Sequence, residues 1–420
     1  MVDAALPYGG KLIRAIQKPL RRTYGGRCAV WNVVIAGYLR TPISRSRPKE
    51  PEKDVFNSVR ADELAAIVVK ELVERTGIDK KDIDHCIMGC ANQSGEQFNY
   101  GGRLISLQAG LEFETPALGV ERQCGSAMTA IGIGAMEIET GVSEVVVAGG
   151  YEHMTHVPMG ANISPNAEYI KREKRFDWMI AFNMGLTAEK LAEESGITKR
   201  EMDEWSLRSH QLAAKAYKEG YFKDEILPIE VTLADGTKTV IDRDQSVRED
   251  TTLEKIASLP PAFKPGGIIT AGNSSPLNAG AGAVILMSEK KAKEYGIEPM
   301  AYLRYAAWAG VDPSVMGKGP VPASKKILKK AKLKVSDIDF WEINEAFAVV
   351  TLYCIRELGI NPDIVNVKGG AIAIGHPLGM TGARLTGTLA RILNLMDGRY
   401  GIANMCCGGG QGTAVLIERP

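Results

Sequence analysis

The sequence has few histidines, few aromatic residues and no excess of charge of either sign. Histidine occurs five times, and aromatic residues make up 6% of the 420 positions. The 51 lysines and arginines nearly balance the 50 aspartates and glutamates, which leaves a net charge of +1. This balance argues against nucleic acid as a main partner. It leaves open a local basic pocket for a phosphorylated ligand.

Long apolar runs and regular cysteine spacings are also missing. No apolar run reaches the roughly 18 residues of a membrane-spanning helix, so no membrane span is predicted. The first residues show no hydrophobic segment of a secretory signal. The seven cysteines have no repeated metal-binding spacing, and His85, Cys86 and Cys90 fit a strand entering a loop better than a zinc site. A cytoplasmic protein with reduced thiols is therefore predicted.

Residues 1–28 are strongly basic. Their basic side chains are Lys11, Arg14, Lys18, Arg21, Arg22 and Arg27, against the single acid Asp3. A mitochondrial transit peptide is the alternative, but the stretch is poor in serine and contains proline and glycine. We predict a basic N-terminal extension, which makes the mitochondrial matrix the less favoured location.

Apolar strands alternate with amphipathic helices, which predicts a layered α/β fold. The clearest elements are a helix at 61–76, a strand at 85–88 and a helix at 125–140. The length predicts more than one domain. The expected parts are an N-terminal half at 29–150, an inserted loop domain at 151–265, the end of the N-terminal half at 266–299, and a C-terminal half at 300–420. Within the loop domain we expect a charged helix at 199–219 and a loop at 234–252.

The two ends of the chain resemble each other. Residues 78–88 and 333–343 both place Asp-Ile-Asp just before a strand. About forty residues later, each half puts a reactive side chain at a predicted helix start, Cys124 in one and His376 in the other. This pattern predicts an internal duplication. Two similar halves packed face to face would bring Cys124 and His376 together.

His376 ends the glycine-rich loop 369–379 and precedes Pro377, a residue suited to the first turn of a helix. A helix N-terminus favours the neutral imidazole and therefore a proton acceptor. The alternative is a structural histidine that caps a turn. Cys124 at a helix N-terminus is expected to have a lowered thiol pKa. The alternative is an inert, buried small residue.

Two further segments carry reactive groups. Cys406 is followed by Cys407 and Gly408, and the flanking glycines allow backbone N–H groups to form an oxyanion hole. An inert buried pair and a vicinal disulfide are the alternatives. Asn344, at the end of a predicted strand, is suited to orient a water or to donate to an oxyanion. Its alternative role is a helix N-cap.

Four motifs together resemble the thiolase family. They are Gln-Cys-Gly-Ser at 123–126, Asn-Glu-Ala-Phe-Ala at 344–348, Gly-Gly-Ala-Ile-Ala-Ile-Gly-His-Pro at 369–377, and Cys-Cys-Gly-Gly-Gly-Gln-Gly at 406–412. Any one motif is weak, but four in the family's order and spacing are specific. The resemblance implies a five-layered αβαβα core of two duplicated halves plus an inserted loop domain.

The resemblance also implies catalytic roles. Cys124 resembles the nucleophile that takes the acyl group, and His376 the base that activates it. Cys406 resembles the second cysteine, which moves the α-carbon proton. Asn344 resembles the residue that holds a water which forms one oxyanion hole with His376, and the N–H groups of Cys124 and Gly408 resemble the other. The implied reaction is reversible ping-pong thiolysis of 3-ketoacyl-CoA, or Claisen condensation in reverse.

The substrate contacts follow by the same matching. Ala271 and Ser275 resemble contacts to the pantetheine arm, Arg248 and Phe263 contacts nearer the nucleotide end, and Met184, Met316 and Phe347 the lining of the acyl group. Plain core packing is the alternative for the last three. CoA and acyl-CoA are then substrates, and neither a cofactor nor a metal is expected. A homodimer or a dimer of dimers is the implied assembly, with a β-oxidation partner left open.

The sequence departs from the family pattern at two places. Asn183 stands where short-chain members typically have histidine, and the stretch 154–183 is shorter than in members whose loop builds a tetramer. Both departures weaken an assignment of acetyl-only specificity or of a tetramer. The segment Asn278-Ala279-Gly280 also differs from the family pattern. The competing functions are a ketoacyl synthase that uses a carrier protein, a silent thiolase-like subunit, and a metal-binding protein.

Overall fold

Ten strands of the chain join in one sheet that carries helices on both faces. This is seen in a computed structural model, which describes residues 30–420. The predicted basic extension, residues 1–28, lies outside the described residues. Within that described part, no helix is long and apolar enough to cross a membrane.

The first part of the chain supplies five strands and three helices. In chain order they are β1 (Val33–Arg40), β2 (Ser44–Arg45), α1 (Ala61–Thr76), β3 (His85–Gly89), α2 (Gly101–Gln108), β4 (Ala117–Val120), α3 (Ser126–Thr140) and β5 (Val145–His153). Helix α1 has the predicted bounds, because acidic residues stabilise its first turn and Gly77 ends it with a φ of +69°.

The middle of the chain is mostly helical. It contains α4 (Ala167–Arg172), α5 (Trp178–Ala181), α6 (Met184–Ser195), α7 (Lys199–Lys218), β6 (Ile229–Thr232), β7 (Lys238–Ile241), α8 (Leu253–Ala257), β8 (Asn278–Met287) and α9 (Glu289–Tyr295). The prediction of a loop over 234–252 is wrong in part, because β7 pairs there with β6 as an antiparallel hairpin. The hairpin turn carries Asp235 and Gly236, and the short, half-exposed strand β7 gives little apolar signal.

The last part repeats the pattern of the first. Its elements are β9 (Ala301–Gly310), α10 (Pro320–Ala331), β10 (Phe340–Ile343), α11 (Ala348–Leu358), α12 (Ala371–Ile374), α13 (Thr381–Leu395), β11 (Tyr400–Cys407) and β12 (Gln411–Glu418). Helix α13 begins at Thr381, so Pro377 lies in the turn before the helix and not in its first turn as predicted.

The sheet has the same strand arrangement on both sides of its centre. From one edge the order is β4-β3-β5-β8-β1, and it continues as β9-β12-β11-β10. In each half the three inner strands pair antiparallel and the outer strands pair parallel. In the first half the outermost pair is β4 with β3. In the second half the corresponding contact is a parallel bridge between Val365 and β10. Antiparallel pairing of β1 with β9 joins the halves. This arrangement is that of the duplicated halves predicted from the sequence.

The two halves of the sheet and three sets of helices stack as five layers. Helices α1 and α2 cover one outer face, and α10 and α11 cover the other. Helices α3 and α13 contact each other and pack, in one apolar cluster, against strands of both halves. All residues of β5 and β8 are buried, as expected for strands covered on both faces.

Glycines in two neighbouring strands let the segments that carry Cys124 and His376 approach the sheet. A Cβ on Gly89, at the end of β3, would lie 2.4 Å from the backbone of Ser126 at the start of α3. A Cβ on Gly150 in β5 would lie 2.1 Å from the carbonyl oxygen of Gly379. Only glycine fits such contacts without displacing backbone. The start of α3 and the loop before α13 therefore meet above the same two strands.

Candidate active site

Cys124 lies in a single 3-10 turn, Gln123–Gly125, immediately before α3. The preceding residue, Gln123, has a φ of +47°, which is uncommon for a residue other than glycine. Its backbone N–H and its side-chain amide both donate to Glu121 Oε1, at 2.6 and 2.8 Å, and its carbonyl accepts from the Ser126 hydroxyl at 2.6 Å. The neighbours thus hold a strained turn that presents the Cys124 thiol, as is common at functional sites.

Burial raises the pKa of the Cys124 thiol to about 12, while a hydrogen bond from the Gly408 N–H acts in the opposite direction. The predicted lowering of this pKa is therefore wrong. The helix N-terminus does favour the thiolate, but loss of hydration in a fully enclosed site outweighs it. The resting thiol is neutral, so it needs a base to take its proton during attack.

His376 is held by hydrogen bonds at its backbone N–H and at its ring atom Nδ1. Its backbone N–H donates to Asn278 Oδ1 at 2.7 Å, and its Nδ1 lies 2.7 Å from the Thr381 hydroxyl. That hydroxyl donates its own proton to the Pro377 carbonyl at 2.7 Å. Thr381 must therefore accept from Nδ1–H, which assigns the proton to Nδ1 and leaves the lone pair on Nε2.

The imidazole of His376 is neutral. Burial lowers its pKa to about 3, and the positive charge of Arg384 adds to the effect. The sequence predicts the neutral form from a helix dipole, and the direction agrees. The main cause is different, because α13 begins five residues later and enclosure of the ring dominates.

Asn344 follows β10 and faces the histidine. Its Nδ2 lies 3.2 Å from His376 Nε2, and its buried Oδ1 has no hydrogen-bond partner among the described residues. The N-cap of α11 is Phe347, so the alternative role of Asn344 as a helix cap is wrong. The Nδ2 of Asn344 lies beside His376, and its Oδ1 is available to accept a hydrogen bond among the described residues. This side chain therefore suits the predicted role of holding a polar group beside His376.

Cys406 and Cys407 end β11, and both are fully buried free thiols. The alternative of a vicinal disulfide is therefore wrong. Cys407 Sγ lies only 2.5 Å from where a Cβ on Gly125 would stand, which places Cys407 against the turn that carries Cys124. Cys406 belongs to the apolar cluster that contains Met316 and Phe347. Burial raises the pKa of Cys406 well above its usual range, and Cys124 raises it further, so the two sulfurs lie within electrostatic reach.

The turn that carries Ala271 and Ser275 packs against the segment that follows Asn344. The Ser275 N–H donates to the Ala346 carbonyl at 3.0 Å, and Ser274 forms a bridge with Phe347. These contacts bring the predicted pantetheine residues beside the predicted acyl lining.

Phe263 lies near the residues that are predicted to line the acyl group. Its ring packs edge-on against Phe347, with centroids 5.9 Å apart, and covers the backbone of Gly185. Met316 is buried in the same apolar cluster, and Met184 packs against it. Arg248 shares no hydrogen bond, ion pair or ring contact with these predicted residues in the described part of the chain; its N–H donates to His210 Nδ1 at 3.2 Å.

Several supporting residues were missed by the sequence reasoning. Thr381 and Asn278 fix the histidine, and Asn278 Nδ2 also donates to the Ser44 carbonyl at 2.6 Å. The Glu345 carboxylate accepts from Trp205 at 2.9 Å and from Ser209 at 2.7 Å, so it anchors the segment that bears Asn344. The only signal in the sequence was the position of Glu345 inside a motif.

A layered α/β core that holds a thiol, a neutral imidazole and a second buried thiol is suited to acyl transfer by an enzyme. Two family models match the chain: the thiolase N-terminal domain at residues 33–290 and the thiolase C-terminal domain at residues 297–419. The chain belongs to the thiolase family of acyltransferases.

Named relatives agree with this family. The chain is 45% identical over 393 residues to a 3-ketoacyl-CoA thiolase of Marinobacter nauticus, covering 92% of this chain and 98% of that protein. It is 44% identical, with the same coverage, to a 3-ketoacyl-CoA thiolase of Hahella chejuensis.

Solved structures share the fold. The acetyl-CoA acetyltransferase of Bacillus anthracis superposes with a TM-score of 0.83 at 40% identity, over 93% of this chain and 100% of that one. Human mitochondrial 3-ketoacyl-CoA thiolase in complex with CoA gives a TM-score of 0.83 at 36% identity, over 93% and 98%.

Proposed function

We propose that this enzyme cleaves 3-ketoacyl-CoA with CoA to give acyl-CoA and acetyl-CoA, through an acyl-enzyme on Cys124, and that it also runs the reverse condensation. The observation that carries the proposal is the fixed tautomer of His376. Its Nε2 lone pair faces the site, while Thr381 holds Nδ1 at 2.7 Å. The segments that carry His376 and Cys124 meet where the Ala127 N–H donates to the Gly379 carbonyl. A neutral base with a neutral thiol is the pair that nucleophilic acyl transfer requires.

In the first half-reaction, Cys124 Sγ attacks the 3-keto carbon and its proton passes to His376 Nε2. The Cys124 and Gly408 N–H groups and the water held by Asn344 are the candidate stabilisers of the oxyanions. Collapse breaks the bond between the α- and β-carbons, and the electron pair goes to the α-carbon. Cys406 donates its proton there, which releases acetyl-CoA and leaves a Cys406 thiolate.

In the second half-reaction, the Cys406 thiolate takes the proton of the incoming CoA thiol. The CoA sulfur then attacks the thioester on Cys124. Acyl-CoA leaves, and the Cys124 sulfur recovers its proton from His376. Two separately placed thiols therefore suit both directions, since one forms the covalent bond and the other moves a proton.

The acyl group is proposed to extend beyond acetyl. Relatives named 3-ketoacyl-CoA thiolase support this, and so does Asn183. Its side chain accepts from the Leu186 N–H at 3.2 Å and so caps α6. Asn183 thus caps a helix at the position where short-chain members have histidine. The proposed lining of the acyl group then consists of Met184, Met316 and Phe347.

A cytoplasmic homodimer is part of the proposal. All cysteines in residues 30–420 are free thiols, as in a reducing compartment. Strand β4 forms one edge of the sheet, and Leu118 on this strand and nearby Phe113 are 40% and 81% exposed. An open apolar edge strand suits pairing with a second copy.

The test is thiolysis of 3-ketoacyl-CoA substrates from C4 to C16, followed as loss of the ketoacyl-CoA absorbance with CoA present. Wild type is expected to be active on some chain length, and Cys124→Ala inactive on all. Cys86→Ala, which removes a fully buried thiol on β3, is the matched control and should keep activity. Folded wild type without activity on any chain length would overturn the proposal and favour a silent subunit.

A further inference from the structure

The buried carboxylate of Glu152 lies where three segments of the active site meet. Glu152 stands near the end of β5 and is 1% exposed. Its Oε2 accepts from the N–H groups of Ala91 and Gly379, each at 2.9 Å. Its Oε1 accepts from the Asn92 N–H at 3.2 Å and from the Gln97 side-chain amide at 2.7 Å.

Burial raises the pKa of Glu152, while the N–H groups around its carboxyl group act in the opposite direction. All four of these groups are N–H donors, so a proton on the carboxyl group would find no acceptor among them. Hydrogen bonds from backbone N–H groups stabilise a buried carboxylate and offset part of its desolvation. A carboxyl group whose two oxygens accept from four N–H groups is a strong anchor.

Gly379 links this anchor to both catalytic segments. It lies three residues after His376, and its carbonyl accepts from the Ala127 N–H at 3.1 Å, three residues after Cys124. A Cβ on Gly379 would stand 2.3 Å from the Tyr151 carbonyl and 2.8 Å from Cys90 Cα. The loop is therefore clamped between β5, the end of β3 and α3, and the Glu152 carboxylate holds it there.

We propose that Glu152 is the positioning residue that sets the His376 loop of one half against the Cys124 turn of the other. It acts through Gly379 and touches neither the thiol nor the imidazole by hydrogen bond. Its charge also faces the nucleophile, because Glu152 raises the pKa of the Cys124 thiol beyond the effect of burial. The role rests on the proposed function, since it matters only if Cys124 and His376 act together.

The test uses Glu152→Gln, which keeps the shape but removes the charge and turns an acceptor into a donor facing N–H groups. We expect kcat for thiolysis to fall by about 100-fold, the loss typical of a small misplacement of reacting groups, with KM changed by less than about twofold. Alkylation of Cys124 by iodoacetamide should become faster at each pH, because removing the negative charge lowers the thiol pKa.

A second variant separates the effect of the side chain's charge from the effect of its length. Glu152→Asp keeps the charge but is too short to hold Gly379, so kcat should fall while the alkylation profile stays at that of wild type. Glu96→Gln is the matched control, because Glu96 is a partly buried carboxylate in the same region that accepts from the Ala61 N–H at 2.8 Å and does not contact Gly379. Its kcat should remain within about twofold of wild type.

Wild-type kcat in folded Glu152→Gln or Glu152→Asp would overturn the inference. So would lost activity in Glu152→Gln with an unmoved alkylation profile, which would mark a merely structural residue. If Glu152→Gln does not fold, the result for Glu152→Asp decides. Failure of the proposed function is distinct, since wild type itself would then show no thiolysis.

Discussion

His376 Nδ1 lies 2.7 Å from the hydroxyl of Thr381, which gives its own proton to the Pro377 carbonyl. The threonine is thus an acceptor toward the ring and fixes the tautomer that exposes the Nε2 lone pair. Asn344 Nδ2 lies 3.2 Å from that nitrogen. The position of one proton on one ring therefore follows from the first residue of α13.

Thr381→Val removes the acceptor while keeping the shape of the side chain. The ring then loses the partner that fixes its tautomer and orientation, so kcat for thiolysis should fall by about 100-fold. KM should change little, because the Thr381 hydroxyl bonds the ring of His376 and the Pro377 carbonyl. Steady-state kinetics on the best chain length measure both values.

Thr381→Ser is the control for this prediction, because it keeps the hydroxyl that accepts from Nδ1. It should retain most of the wild-type kcat. Equal activity of the valine and serine variants would show that the hydrogen bond does not fix the base.

The reactivity of Cys124 should depend on pH as that of a neutral thiol. Because its pKa is raised to about 12 and that of His376 is lowered to about 3, no thiolate–imidazolium pair exists between these values. The alkylation rate with iodoacetamide should therefore rise about tenfold per pH unit from pH 5 to 9. A plateau of high reactivity at acid pH would reveal a preformed ion pair and contradict this prediction.

Met316 is expected to limit the size of the acyl group. It is 2% exposed and packs in the apolar cluster of Phe347 and Cys406. Met316→Ala opens space, so kcat/KM for long or branched substrates should rise about tenfold relative to C4. Met88→Ala is the control, because Met88 is a buried methionine of the cluster around α1. An unchanged chain-length preference in Met316→Ala would place Met316 in the core alone.

Leu118→Lys tests the proposed dimer edge. A charge on the exposed side of β4 should disfavour strand pairing between copies, so light scattering should give half the wild-type mass. Val142→Lys places the same charge on another site, which is 75% exposed, and should leave the mass unchanged. A wild-type mass for Leu118→Lys would move the interface elsewhere.

Local pattern and internal repetition were sufficient to predict much of the fold. The bounds of α1 follow from its acidic first turn and Gly77. The repeated Asp-Ile-Asp predicted an internal duplication, and the sheet has a similar strand arrangement in its two halves. In the second half of the sheet, the place that corresponds to β4 is taken by Val365, which forms only an isolated bridge to β10. The sequence around Val365 does not predict a strand.

The residues named from the sequence stay a prediction as a catalytic site, and their electrostatics differ from the expectation. A helix-dipole argument gave the right direction for His376 and the wrong one for Cys124, because enclosure from distant segments decides both pKa values. Glu152 and Gly379 are far apart in sequence, so their contact depends on how the two halves pack. Neither local pattern nor spacing reports such contacts.

The most direct test is the intact mass of the protein after incubation with acetyl-CoA without acceptor, followed by peptide mapping. We expect one acyl group on the peptide that contains Cys124, in wild type and in Cys406→Ala, and its loss when CoA is added. Cys124→Ala should remain unmodified. An acyl group on Cys406 or Cys407, or an active wild type that never carries one on Cys124, would contradict it.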